Sequence, residues 1–277
     1  QVLVRFIPAP DDHGLTFVRT DRPGSAPIQA LAASVTDTRR RTTLGSAEDG
    51  VTLVEHVLAA LAGLRIDNCR IELDGPEPPG LDGSAIEFVN AIESAGVEHQ
   101  SSRRPIKTVI ERTSVEHDGA TITLHPADGL SLRASYILDY GALSPLPRQS
   151  ATISVTPDSF TRDVANCRTF LLESEVRTLR SQGIGSHLSP REVLVFNSHG
   201  AIDNRLRFGD EPARHKLLDL VGDLALCGFD LAGHVVAYRS GHGLNVELAR
   251  TLAEQAKHES EENPSVLPFR RLKRVAA

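Results

Sequence analysis

The chain has 277 residues, enough to bury a sizeable core in one large or two medium domains without disulfides. Lys and Arg number 30 against 36 Asp and Glu, a formal charge of −6, and three Tyr with no Trp leave few stacking surfaces, which disfavours a nucleic-acid-binding role. No apolar run reaches transmembrane length, and no secretory signal pattern opens the chain. Three scattered cysteines, Cys69, Cys167 and Cys227, form no paired framework and point to a reducing, cytoplasmic compartment. The start at Gln1 and the absence of Met read as a chain shortened at its beginning.

In chain order, Val2 to Ile7 and Leu15 to Arg19 alternate as short strands, and Asp21 to Gly24 is turn chemistry. Val54, Val57, Leu58, Leu61 and Leu64 recur at three- and four-residue steps, predicting a helix over Leu53 to Leu64 that Gly63 ends. Ile66 to Leu73 then reads as a strand, and Ser84 to Ile92 as a helix capped by Ser84. The polar stretch Gln100 to Pro105 is the best linker candidate. Beyond it, Lys107 to Val115, Thr121 to Leu124, Leu130 to Leu138 and Ala151 to Val155 read as strands. Helices are expected at Pro157 to Asn166, Ser174 to Gln182, Glu211 to Leu226 and Leu244 to Ala256, with a strand at Val235 to Tyr238. The tail over 258–277 is expected to be loosely held.

Two stretches look like distant copies. Glu55 to Gly75 runs helix, Gly, strand, Asp-Gly before a second helix, and Leu218 to Gly241 runs helix, Gly, strand, Ser-Gly before another. That repetition favours two related α+β halves, over 1–102 and 106–257, rather than one sheet. No βαβ unit carries a Gly-rich phosphate loop, so dinucleotide or Walker-type chemistry has little support.

Three clusters could carry chemistry. His215 and Asp219 are four residues apart on an apolar helix and so share one face, with Asp223 continuing the stripe. A His and a carboxylate at that spacing can reach one zinc ion, although a solvated His–Asp pair has the same spacing. Glu55-His56 opens the first long helix among apolar neighbours, where one residue could serve as ligand and the other as base; a first-turn Glu with a packed His is the plainer alternative. Ser240-Gly241-His242-Gly243 lies between a strand and a helix, where flanking glycines would let a histidine approach a ligand closely, as general acid or oxyanion support; a solvated turn histidine is the alternative. No Cys has a His nearby in sequence, so cysteine catalysis ranks low.

Taken together, Leu53-Val54-Glu55-His56, Asp67-Asn68, Asp82-Gly83-Ser84-Ala85, Cys167-Arg168-Thr169-Phe170, Arg214-His215-Lys216 with Asp219 and Asp223, and Ser240-Gly241-His242 strongly resemble the zinc-dependent UDP-3-O-acyl-N-acetylglucosamine deacetylase family of lipid A biosynthesis. The match runs in order over essentially the whole chain. It implies an α+β fold of two similar domains, each a layered helix/sheet sandwich, with the active site in the cleft between them. The family's usual opening strand would precede Gln1.

The resemblance implies a zinc site at His56, His215 and Asp219, with ferrous iron as the alternative ion, and Glu55 as general base. His242 would be the general acid with Asp223 adjusting its charge, and Thr169 and Lys216 would stabilise the oxyanion. Phe170 would lie against the substrate sugar. An acyl-passage insert would fall at about 183–204, with Leu194 and Phe196 on its apolar strand. The implied reaction releases acetate from a UDP-linked 3-O-acylated N-acetylglucosamine. Its departures from the usual family pattern, among them Leu171, Leu172, Gly243 and the Gly183-Ile184-Gly185-Ser186 segment, bear on acyl-chain length and on the sugar accepted. The expected partner is therefore a UDP-linked acylated amino sugar, the expected state a monomer. The rivals are a related zinc amidase acting on another N-acyl sugar and a non-catalytic zinc-binding homologue.

Overall fold

A computed structural model of the chain describes residues 2–102, 104–181, 193–262 and 269–272. The fold is α+β. The first hundred residues supply β1 (Val4–Pro8), β2 (Leu15–Arg19), β3 (Ile28–Gln29), β4 (Val35–Asp37), β5 (Thr43–Leu44), α1 (Glu55–Gly63), β6 (Cys69–Leu73) and α2 (Ile86–Ala95). β7 (Arg104–Thr108), β8 (Thr113–His117), β9 (Ala120–His125), β10 (Leu132–Leu138), β11 (Gln149–Ser154) and α3 (Pro157–Asp163) follow. The remainder comprises β12 (Phe170–Leu172), α4 (Glu173–Ser181), β13 (Leu194–Asn197), β14 (Gly200–Ala201), α5 (Glu211–Leu224), β15 (Asp230–Tyr238), α6 (His242–Glu262) and β16 (Phe269–Leu272).

Four strands in the order β1-β6-β2-β3 form the sheet of the first half, with β6 antiparallel to β1 and parallel to β2. The larger sheet runs β11-β10-β15-β7-β16, and β9 joins it on β15 and carries β8. In each half a helix feeds a strand that is followed by a second helix: β6 lies between antiparallel β1 and parallel β2, while β15 pairs antiparallel with β9 and parallel with both β10 and β7. Alternation puts Cys69, Ile71 and Leu73 inward on β6. The buried apolar side chains nevertheless form one continuous cluster, running from Phe17 and Ile71 through α1 and α5 to Leu248 and Leu252 of α6.

Several boundaries differ from expectation for local reasons. The strand expected over Lys107 to Val115 is two strands, broken where Ile110 stands 94% exposed. β15 begins at Asp230, earlier than expected, and runs through Gly233, whose backbone (φ +148) lies so close to the His125 carbonyl that a Cβ would clash at 2.6 Å. Glycine there signals close strand approach rather than a strand boundary. Ala85 rather than Ser84 occupies the cap position of α2; the Ser84 hydroxyl, one residue earlier, donates to Asp82 Oδ1 at 2.6 Å and accepts a long bond of 3.4 Å from Ile86 N–H. β3, β4 and β5 are too short to leave a period in the sequence. In the tail, α6 continues to Glu262 and β16 pairs antiparallel with β7; 263–268 and 273–277 lie outside the described residues.

At the start of β7, where the linker was expected to end, Arg104 ties the halves together. It pairs with Asp67 at 2.8 Å and Asp230 at 2.6 Å, donates to the Arg65 carbonyl, and shares Asp230 with the Arg65 guanidinium. Arg104 is buried, while the carboxylates keep 23% and 27% of their side-chain surface in water. Arg104→Met should therefore lower stability by about 3 kcal/mol, the low end for removing one partner of a buried ion pair. Urea denaturation checks this, and an unchanged midpoint would mean that the network adds nothing to stability.

Candidate active site

Two helices from different halves cross at close range. On α5, Gly222 faces the backbone of α1 so tightly that a Cβ would sit 2.1 Å from the Glu55 carbonyl oxygen and 3.1 Å from the Ala59 nitrogen. The crossing therefore brings the first turn of α1 beside the face of α5 that carries His215 and Asp219. Leu53, just before α1, adopts φ 59, a left-handed conformation that bulky residues rarely take, and it turns the chain into the helix.

His56, His215 and Asp219 converge there. All three are buried, and one ligand atom from each lies within 4.8 Å of the others, a group that could hold a metal ion. His215 Nδ1 lies 3.0 Å from the Cys167 carbonyl, which can only accept, so Nδ1 carries the proton and Nε2 presents its lone pair 3.4 Å from Asp219 Oδ1. Burial, only partly offset by Asp219, pushes His215 down to about 4, so its imidazole is neutral and ready to ligate. His56 Nε2 approaches the same Asp219 oxygen at 3.7 Å. Burial opposes ionisation of Asp219, but Lys216 and His215 hold it well below the usual carboxylate range. Two imidazoles and a carboxylate fit a borderline divalent cation.

Glu55 and His242 face one another beside this group, with Glu55 Oε1 4.0 Å from His242 Nε2. Burial raises the Glu55 carboxyl above its ordinary range, against the pull of His242 and His56. Burial also opposes the imidazolium of His242, yet Asp223, bonded to Nδ1 at 2.8 Å, outweighs it and pushes His242 up to about 9. The glycines beside His242 are not the device expected. Gly241 has open space where a Cβ would be, and the left-handed residue of this turn is Arg239, at φ 56. His242 instead opens α6, and Asp223 and Asn245 set the position of its ring.

The remaining expected residues gather around the same point. Lys216 Nζ donates to Asp219 Oδ2 at 2.8 Å, so its charge is committed to a candidate ligand. Thr169 is half-buried and is held by its backbone, donating to the Gly83 carbonyl at 2.7 Å and accepting from Leu194 N–H at 2.9 Å. The Phe170 ring packs edge-on to His215, Phe196 and Tyr140 at 6.1–6.3 Å. Phe170 and Leu194 are register partners in the parallel β12–β13 pair; Leu194 is wholly buried and Phe196 nearly so. The first part of the expected insert, 183–192, lies outside the described residues. Burial raises all three thiols, Cys69 to about 11 and Cys227 to about 12, so none is poised as a nucleophile.

The motif segments also hold residues that sequence reasoning left without a role. Arg168 grips the wholly buried Glu211 through Nε at 2.9 Å and Nη2 at 3.2 Å, fastening Thr169 and Phe170 to the start of α5. Asp82 takes the Ser84 hydroxyl and Arg207 at 2.7 Å, and Gly83 receives Thr169, so Asp82-Gly83-Ser84 is a splice between halves rather than a reacting group. Thr42, Asn245 and the 43% exposed Tyr140 gave no spacing signal at all. A groove of about 1120 Å³ lined by Phe6, Leu61, Leu64 and Ile92 contains none of the converging side chains.

The profile of the UDP-3-O-acyl N-acetylglycosamine deacetylase (LpxC) family matches residues 1–254. The chain belongs to this family. It is 40% identical over 254 residues to a UDP-3-O-acyl-N-acetylglucosamine deacetylase of a Nostoc species, covering 90% of each chain. A Myxococcus xanthus protein of the same name is 38% identical over 253 residues, 90% of this chain and 79% of that one. The bifunctional enzyme LpxC/FabZ of Chlorobaculum tepidum is 40% identical over 283 residues, and the match spans 91% of this chain but only 60% of that protein.

For this LpxC-family chain, the helix crossing carries a prediction. Gly222→Ala should lower stability by about 1–3 kcal/mol, as overpacking does, and should weaken metal capture by drawing His56 away from His215 and Asp219. Thermal unfolding with metal analysis after dialysis checks both effects. A variant as stable and as metal-loaded as wild type would show that the crossing does not depend on that glycine.

Proposed function

We propose that the protein hydrolyses the N-acetyl group of a UDP-linked 3-O-acylated N-acetylglucosamine, releasing acetate, at a site where His56, His215 and Asp219 hold zinc. One observation carries the reading: two imidazoles and a carboxylate converge within 4.8 Å beside a Glu–His pair whose facing atoms are 4.0 Å apart. A divalent ion bound there supplies Lewis acidity, polarising the amide carbonyl and acidifying a water. Glu55 takes the water's proton at Oε1, and His242 gives a proton from Nε2 to the departing nitrogen. Asp223 holds the Nδ1 proton of His242, which keeps Nε2 aimed at the reacting bond. Thr169 offers a hydroxyl to the developing oxyanion, and Lys216 acts through Asp219, balancing its charge and orienting it. Phe170 supports the sugar, while Leu194 and Phe196 form the apolar backing of the acyl passage. The two-His, one-carboxylate donor set suits catalytic zinc and ferrous iron alike; zinc is the reading taken from the family, with ferrous iron as the alternative ion.

We read the halves over 1–102 and 106–257 as the family's two domains, with the site between them. We assign the chain to the cytoplasm on its three free cysteines and take it as a monomer. Among the described residues, no helix is long and apolar enough to cross a membrane. The function stands or falls on acetate release from the UDP-sugar by a sample whose metal content is measured alongside. No release from stoichiometrically loaded protein would reject it.

Two outcomes follow. Glu55→Ala should cut turnover roughly 10²–10⁴-fold while retaining its metal, as expected for loss of a general base. Loss of the metal in that variant would make Glu55 a ligand instead. His242 works protonated, so activity falls as pH rises through its raised pKa, and the alkaline limb should lie near 9. Asp223→Asn removes the neighbouring charge and should move that limb to lower pH; an unmoved limb would take His242 out of the acid role.

A further inference from the structure

Thr42 lies just before β5, in a segment that showed no recognisable pattern in the sequence, and is wholly buried. Each of its polar groups is spent on the site. Its backbone N–H donates to Glu55 Oε2 at 3.0 Å, and its carbonyl accepts from Val54 N–H at 3.3 Å, directly before Glu55. Its hydroxyl donates to Asp223 Oδ1 at 2.7 Å. The other Asp223 oxygen, Oδ2, takes His242 Nδ1 at 2.8 Å and Asn245 Nδ2 at 2.9 Å.

We propose that Thr42 is a positioning residue that locks the base and the acid into one mutual orientation, its amide fixing the Glu55 carboxylate and its hydroxyl fixing the plane of Asp223, and thereby of His242. The proposal rests on the deacetylase reading for the roles of Glu55 and His242, and on geometry for the coupling. With Oε2 occupied by Thr42, Glu55 presents Oε1 to His242. Among the described residues, Thr42 is the only donor to Asp223 Oδ1. Without it, that carboxylate is free to rotate about its Cβ–Cγ bond, and the imidazole moves with it. A buried carboxylate that loses a donor also presents more unscreened charge to its remaining partners.

Thr42→Val keeps shape and backbone amide and removes only the hydroxyl. Its kcat should fall roughly 10- to 100-fold, as misorientation of a reacting group does, with KM within about threefold and metal content unchanged. Thr42→Ser restores the hydroxyl and should recover most of the loss. In an Asp223→Asn background, Thr42→Val should add little, since both changes break one link. A second readout needs no turnover: the His242 imidazole, titrated by NMR in metal-free protein, should shift to higher pH in Thr42→Val and return in Thr42→Ser. The groups facing that ring are Asp223 and Asp219 from α5, Glu55 from α1 and Asn245 from α6. Should the valine variant not fold, Thr42→Ala takes its place.

Wild-type kcat and an unmoved His242 titration in Thr42→Val would overturn the proposal. So would a serine variant as impaired as the valine one, or fully additive losses with Asp223→Asn. If wild type releases no acetate, the deacetylase reading fails separately, and the imidazole titration alone decides whether Thr42 couples the pair.

Discussion

The crossing of α1 over α5 is the contact on which the rest depends. A glycine at 222 lets one helix lie on the bare backbone of the other, and no side chain could stand in that gap. Helices that pack through side chains lie 8–10 Å apart axis to axis. A crossing this close lets a short imidazole on one helix share a point in space with an imidazole and a carboxylate on the other. The convergence of His56, His215 and Asp219 follows from packing, and the surrounding network follows from that convergence.

That network solves an electrostatic problem. Glu55, Asp219 and Asp223 are three buried carboxylates, and the cations set among them are Lys216 and His242. Burying unpaired charge is expensive, and here the acidic side exceeds the basic one. A region with that surplus attracts a cation, and the neutral state of His215 leaves a lone pair for it. The same field keeps His242 protonated beyond the ordinary histidine range, which suits the general-acid role proposed for it.

What could be read from the residues was periodic or clustered. His215 and Asp219 are on one helix, and the four-residue step alone places them together. Glu55 and His56 stood out as charge among apolar neighbours. The helices α1, α2 and α5 were visible for the same reason, within a few residues at their ends. Relations between halves left no local trace: nothing about Thr42 in a run of arginines and threonines marks it as the partner of a residue far along the chain. Gly222 was visible only as one more small residue in a helix, since its meaning lies in what is opposite it. Ser84 misled by one position: α2 begins a residue later than its hydroxyl would set, with Ala85 at the cap and only a long bond from Ile86 N–H to Ser84. Resemblance supplied what spacing did not, namely that the separate clusters belong to one site.

The single continuous core has a consequence for how the molecule comes into being. His56 is made early in synthesis and His215 and Asp219 late, while the leucines of α1 bury against partners that do not exist until α5 has been translated. The contacts that close the site are therefore among the longest-range in the chain, and such contacts form late and slowly. The group that could hold an ion is assembled only once α5 has been made and packed on α1. If the triad holds an ion as proposed, its occupancy reports that segments about 160 residues apart have packed together, and a half-folded chain offers no such trap.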